Sequence, residues 1–291
     1  MLSQEKREAR RKFLGSSDAA AIVGCNPYKT AFDVFLEKTY QTEDIKDNEA
    51  IKIGNVLEPS ILQWGASELG VEIELNPEMR THENGFMAFN PDALVKGRPE
   101  ILEAKTAGVL WSYLRDWGEI GTDEVPEQYL IQCQHGMGVM GPEFKRCHVP
   151  ALMGGVGLRM YHIERDDELI GSLEVLEEKF WREHVLKGLP PDDSIPTEDV
   201  IKRIRRVPKK TVHVESSLIL NWEQAKELAR EAQKKADEAK ALLLAALGDA
   251  EAGESEAGAV TYYEQTRKAY EVKETTYRVL RAKTKGAKNA A

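Results

Sequence analysis

Three side chains define the chemistry open to this sequence. Asp92 follows Pro91 on one short extended stretch, and Glu103-Ala104-Lys105 stands on the next, beginning eleven residues later. Two neighbouring strands set Asp92 beside Glu103, and strand alternation puts Glu103 and Lys105 on one face. Oxygen donors of this kind suit Mg²⁺, with Mn²⁺ as a substitute, because these ions retain waters and accept phosphate oxygens. The main-chain carbonyl of Ala104 offers a further ligand. An ion held there polarises a phosphodiester and acidifies an attacking water. Lys105 then orients or helps to deprotonate that water and stabilises developing charge. The bland alternative is an exposed Glu103/Lys105 pair, with Asp92 closing a turn. Ile101 and Leu102 count against it, since they make the strand partly buried, where a carboxylate needs a partner or a metal.

The elements that must position these residues are legible in the apolar periodicity. Gly15-Ser16-Ser17-Asp18 reads as a cap and a short helix closed by Gly24, followed by a turn at Asn26-Pro27-Tyr28. A second helix runs through Phe32, Phe35 and Leu36, and a long one from Glu49 to Leu69 ends at Gly70. Val71, Ile73 and Leu75 alternate with Glu72 and Glu74 and open a strand meander through Glu100 to Lys105. A helical segment from Val109 to Trp117 follows, and then a helix from Pro126 to Met140. Paired strands at Lys145–Leu152 and Leu158–Ile163 precede an amphipathic helix over Asp167–Val185.

Pro190, Pro191 and Pro196 mark a boundary, giving a domain over 1–190 and an extension over 191–291. Within the extension Ser216 to Leu247 form one helix, whose residues from Leu218 through Trp222 to Ala246 recur at alternating spacings of four and three. That is an alanine-rich heptad seam. An acidic loop from Asp249 to Gly258 should precede a hairpin of Ala259–Thr266 with Ala269–Lys273, and the last ten residues should be disordered.

A chain of 291 residues, 42% hydrophobic, buries a full core. With a charged N-terminus and no long apolar run it is expected to be cytoplasmic, without a membrane segment. Cys25, Cys133 and Cys147 are too few and too far apart for a disulfide framework or an iron–sulfur cluster and read as core thiols, and the six histidines show no zinc spacing. The net charge of −9 looks wrong for a binder of polyanions, but cations cluster in Met1–Lys12, in Lys202 to Lys210 and after Glu274.

Taken together, Gly15-Ser16-Ser17-Asp18, Gly54-Asn55-Val56-Leu57-Glu58-Pro59, Asn90-Pro91-Asp92-Ala93-Leu94, Glu103-Ala104-Lys105, Tyr129-Leu130-Ile131-Gln132-Cys133-Gln134 and Ile163-Glu164-Arg165-Asp166 resemble the lambda-exonuclease/YqaJ family of viral recombinases, within the PD-(D/E)xK nuclease superfamily. The resemblance covers residues 7 to 185. It implies an α+β core with a central mixed sheet flanked by helices. It also implies a 5′-to-3′ exonuclease on double-stranded DNA ends that leaves 3′ single strands for annealing-type recombination. By the same resemblance Glu58 approaches the metal site, Gln132 fixes the water or a carboxylate, and Tyr129 supports it. Ser17 and Arg10 grip a terminal 5′-phosphate, which the free N–H groups of a helix start would also favour. The implied partners are a single-strand annealing protein and further copies of the chain in a trimeric ring, and the implied source is a phage or prophage. A structure- or sequence-selective endonuclease, or a non-enzymatic DNA-binding or assembly module, are the alternatives.

Overall fold

A computed structural model describes residues 10–43, 49–108, 116–192 and 194–266. The basic residues before Arg10, the segment 109–115, the second strand expected over Ala269–Lys273 and the basic terminus lie outside that description. The chain forms two compact units, Met1–Arg206 and Val207–Ala291.

Helix α1 (Ser16–Ile22) starts where the sequence places a cap, but the capping group is Asp18, whose carboxylate accepts the Gly15 N–H at 3.0 Å. The same carboxylate bridges Lys29 at 2.6 Å and Lys38 at 2.7 Å. Lys29 in turn meets Glu37 of α2 (Ala31–Thr39) at 2.6 Å. Burial opposes the charge on Asp18, yet Lys29 and then Lys38 outweigh it and hold the carboxyl far below the usual 3.8. A carboxyl whose folded pKa is depressed contributes stability above its unfolded value and loses it as pH falls toward the folded one. Asp18→Asn should therefore destabilise the first unit by about 3–5 kcal/mol at neutral pH, because it leaves the buried Lys38 ammonium without a carboxylate and Lys29 with Glu37 alone. Urea titrations should show that difference shrinking steadily as the pH falls below about 4. A gap that stays constant from pH 7 to pH 2 would contradict this.

The sheet has the order β1 (Ile73–Leu75), β4 (Ala93–Val95), β5 (Glu100–Leu102), β7 (Arg146–Met153) and β6 (Lys105–Ala107), with β8 (Gly157–Glu164) on β7. A separate two-residue ladder joins β2 (Arg80–Thr81) to β3 (Ala88–Phe89). β5 and β6 both run parallel to β7 in one register, Leu102 opposite His148 and Lys105 opposite Ala151. They are two halves of a single strand interrupted at Glu103-Ala104. Pro150 faces Ala104 in that register and has no N–H to donate, so the ladder lapses there.

Helix α3 (Glu49–Leu69) covers one face of the sheet, packing Leu62 and Ala66 on Ala93, Val95 and Leu102. Gly65 permits the approach, since a Cβ there would stand 2.8 Å from the Pro150 ring. On the other face α4 (Glu127–Met140) and α5 (Asp167–Phe180, continued as a π-turn to Val185) bury Cys133, Met137, Ile170 and Phe180 against Ile101, Cys147, Val149 and Tyr161. α4 is pinned at its middle. His135 contacts Glu177 at 2.9 Å through Nδ1 and the Ala88 carbonyl at 3.1 Å through Nε2.

The first unit does not end at residue 190. The Phe32 N–H donates to Ser194 Oγ at 3.1 Å, and the Thr197 N–H donates to Asp33 at 2.7 Å. Helix α6 (Glu198–Arg203) buries Val200, followed by buried Ile204, and Arg203 bridges Glu37 at 2.5 Å. Pro190 and Pro191 therefore mark a turn inside the unit, and the compact unit closes after Arg206. Two cations of the basic run are thereby paired already, Arg203 with Glu37 and Lys202 with Glu198.

In the second unit α7 spans Ser216–Leu247, and a hairpin joins β9 (Ala252–Ser255) to β10 (Gly258–Thr261). This pairing falls partly in the stretch expected to be a loop, and the second strand of the expected hairpin lies outside the described residues. The stretch taken as an acidic loop supplies the first strand of the observed hairpin, because Glu256-Ala257 form a two-residue turn closed by Gly258 at φ 137°.

Candidate active site

The interruption between β5 and β6 brings the expected constellation together. Continuing the register of Ala93 opposite Leu102 places Asp92 opposite Glu103. The Ala104 N–H, which finds no place in the β7 ladder, donates instead to Asp92 Oδ2 at 2.9 Å. Lys105 returns to the face of Glu103, and its Nζ donates to Glu103 Oε1 at 3.0 Å. Tyr129, in the first turns of α4, places its ring 5.0 Å from the same ammonium. Glu103 Oε2 is buried and has no hydrogen-bond partner among the described residues.

The electrostatics follow from that crowding. Burial first, then the charge of Glu103 and more weakly Glu58, hold the Asp92 carboxyl well above the usual carboxylate range, against the pull of Lys105 and the Ala104 N–H. Glu58, half-buried on α3, is raised by burial and then by Glu103, with Lys105 opposing. Lys105 is raised despite its burial, because Glu103 and Asp92 favour its charge. A lysine held charged in this way is suited to orienting groups and stabilising negative charge, and poorly suited to accepting a proton. That narrows the double role open to it in the sequence.

These residues fit a divalent cation. An unsatisfied buried carboxylate oxygen costs free energy that an ion repays, and so does gathered negative charge in a dry site. Among the described residues no three carboxylate, imidazole or thiol groups converge on one point. Asp92 and Glu103 form a pair, and Mg²⁺ needs only one or two protein carboxylates, waters completing its shell.

The remaining expected site residues are placed differently. Gln132 is half-buried one turn beyond Tyr129, and its side chain makes no hydrogen bond among the described residues. Ser17 lies in the first turn of α1, half-buried, and Asp18 accepts the N–H of Gly15, the residue before the helix. The nearby ammonium groups of Lys29 and Lys38 are likewise engaged by Asp18. Arg10 is exposed, and its carbonyl accepts from Lys38 at 2.9 Å. Cys133 and Cys147 are core thiols as expected, whereas Cys25 is half-exposed. A cleft of about 500 Å³ lined by Arg98, Glu100, Arg146, His148 and His162 holds none of the site residues. Glu100 shares its strand face with Leu102, whereas Glu103 and Lys105 point the other way. The sequence reading missed Pro150, although its signal was available: a proline inside an otherwise regular strand pattern.

Residues 7–143 match the model of the YqaJ-like viral recombinase domain. The chain is 35% identical over 198 residues to the uncharacterized protein YqaJ of Bacillus subtilis, a match covering 67% of this chain and 60% of that relative's length. In fold it is similar to an alkaline exonuclease, LHK-Exo, from Laribacter hongkongensis, with a TM-score of 0.50 and 21% identity over 62% of this chain and 92% of that one. The same enzyme in complex with dAMP gives a TM-score of 0.51 over the same shares. At that identity the likeness speaks for the fold alone.

Proposed function

Since the chain belongs, through residues 7–143, to the YqaJ-like viral recombinase family, we propose that it is a Mg²⁺-dependent deoxyribonuclease. In this reading it degrades duplex DNA from its ends in the 5′-to-3′ direction and leaves 3′ single strands for recombination by annealing. The observation that carries the reading is the buried Oε2 of Glu103, which has no partner among the described residues and stands beside Asp92 and Lys105.

Asp92, Glu103 and the Ala104 carbonyl would hold the ion, with Glu58 reaching its waters. When bound, Mg²⁺ or Mn²⁺ supplies polarisation of the phosphodiester and a water of lowered pKa. Lys105, fixed by Glu103 and by the Tyr129 ring, holds its ammonium toward the reacting phosphate and stabilises the charge that develops there. Gln132, with an unengaged side-chain amide one turn beyond Tyr129, positions the attacking water or a carboxylate oxygen. Ser17 and Arg10 read the terminal 5′-phosphate through their side chains. A trimeric assembly and an annealing protein as partner belong to the same reading.

Linear duplex labelled at one terminus distinguishes this from other nucleases. With Mg²⁺ the 5′ label should be released as small products well before a 3′ label, and a covalently closed circle should survive. Release of the 3′ label first, or linearisation of the circle, would contradict the proposed polarity or the need for an end.

A further inference from the structure

Helix α7 is 32 residues long, and none of its side chains is buried. A helix of that length spans about 48 Å, and isolated helices rarely persist without packing an apolar face. Its apolar face is continuous. Leu218, Trp222 and Leu243, joined by Ala225, Ala229, Ala232, Ala236, Ala239 and Ala246, recur at spacings of four and three, and Leu228 and Leu242 widen the stripe. Leu218 is 61% exposed, Leu228 59% and Leu242 74%.

The charges around that stripe are sorted. In the heptad that puts Trp222 and Leu243 at position a, the flanking e and g positions hold Lys226, Lys235 and Lys240 and no acidic residue. All five acids of the helix, Glu223, Glu227, Glu231, Asp237 and Glu238, fall on the outer positions b, c and f. Ion pairs absorb Arg230 with Glu227 and Lys234 with Glu238. Lys226 meets Glu223 and lies over the Trp222 ring at 4.3 Å. Lys235 and Lys240 have no acidic partner among the described residues.

Flanking charges choose the partner of a helical seam. A second copy of α7 is a poor match in either direction. A parallel pair sets Lys235 beside Lys240, and a centred antiparallel pair sets Lys226 beside Lys240. Residues 267–291 are no better, since they carry eight Lys or Arg against two Glu. We propose that α7 is a docking surface for an amphipathic helix of another protein, one with a Leu/Ala seam and Glu or Asp at the positions beside it. The alanines at the centre allow the two helices to approach closely, and the lysines select the acidic flanks.

Two synthetic 32-residue peptides test this with the full-length chain. Both carry a Leu/Ala seam; one has Glu at every e and g position and the other Lys. Titration calorimetry should show the acid-flanked peptide binding in 1:1 ratio per chain, at least about tenfold tighter than the lysine-flanked one, and weakening with added salt. Lys235→Glu together with Lys240→Glu, outer-face charges untouched, should reverse that preference while circular dichroism keeps its helical signal. Ala232→Gln with Ala236→Gln should abolish both interactions. Four outcomes would overturn the proposal: no peptide binding, equal affinity for the two peptides, displacement of the acidic peptide by duplex DNA, or a fall in particle mass with the glutamine variant. The third would make the face a DNA contact and the last a self-association seam.

Discussion

Asp92→Asn, Glu103→Gln and Lys105→Ala should each lower single-turnover cleavage of linear duplex by about 10³-fold or more and leave the far-ultraviolet spectrum unchanged. The effect is expected to be this large because each removes a group aimed at the ion or the phosphate, and none contributes appreciably to the core. A second signature separates a site from a merely structural cluster. Burial, Glu103 and Glu58 hold the Asp92 carboxyl well above its ordinary range, so its charge costs stability at neutral pH without metal. A carboxyl whose folded pKa is raised recovers stability as pH falls, the opposite of Asp18. Asp92→Asn, which keeps an acceptor for the Ala104 N–H, should therefore raise the unfolding midpoint in chelator at neutral pH while abolishing cleavage. A variant that lost activity together with metal-free stability would point to a structural carboxylate.

Residues 1–206 should fold and cleave without the second unit, whereas residues 1–190 should not remain stable. Ending the chain at 190 removes Val200 and Ile204, both buried, the Arg203–Glu37 bridge, the Ser194 Oγ that accepts the Phe32 N–H and the Thr197 N–H that donates to Asp33. Two buried aliphatic side chains alone amount to about 3–6 kcal/mol, a large part of a typical domain's stability. Ending at 206 removes none of these and keeps four cations of the basic run, Lys202, Arg203, Arg205 and Arg206. Urea unfolding of the two fragments, with single-turnover cleavage at saturating DNA for the longer, checks both halves. Turnover of 1–206 should stay within about threefold of the full chain, any loss appearing in affinity. A folded 1–206 that fails to cleave at saturation would show that the second unit completes the active site.

The residues that were legible beforehand are those whose signal is local. Asp92, Glu103 and Lys105 were readable because strand alternation and a short reversal fix which side chains can meet, and the observed register puts Asp92 opposite Glu103. Helix bounds were readable wherever punctuation was strong: Pro126 before α4 and Gly70 after α3. What escaped depended on partners distant in sequence. Asp18 read as part of a helix cap, and only the fold brings Lys29 and Lys38 onto it. Pro190 and Pro191 looked like a domain boundary, and only tertiary packing shows α6 returning to α2. The β9–β10 hairpin was missed because strand propensity favours Val260, Thr261 and Tyr262 and says nothing about which neighbour, upstream Gly253-Glu254 or a segment further on, supplies the pair.

Titration of Mg²⁺ against both stability and cleavage tests the central assignment most directly. In wild-type protein the thermal midpoint should rise with Mg²⁺ or Mn²⁺, and cleavage of linear duplex should saturate over the same concentration range. Both responses should vanish in Glu103→Gln, which removes the charge from the oxygen left without a partner. Full-rate cleavage by the wild type in chelator, or an unaltered Mg²⁺ response in Glu103→Gln, would contradict the account.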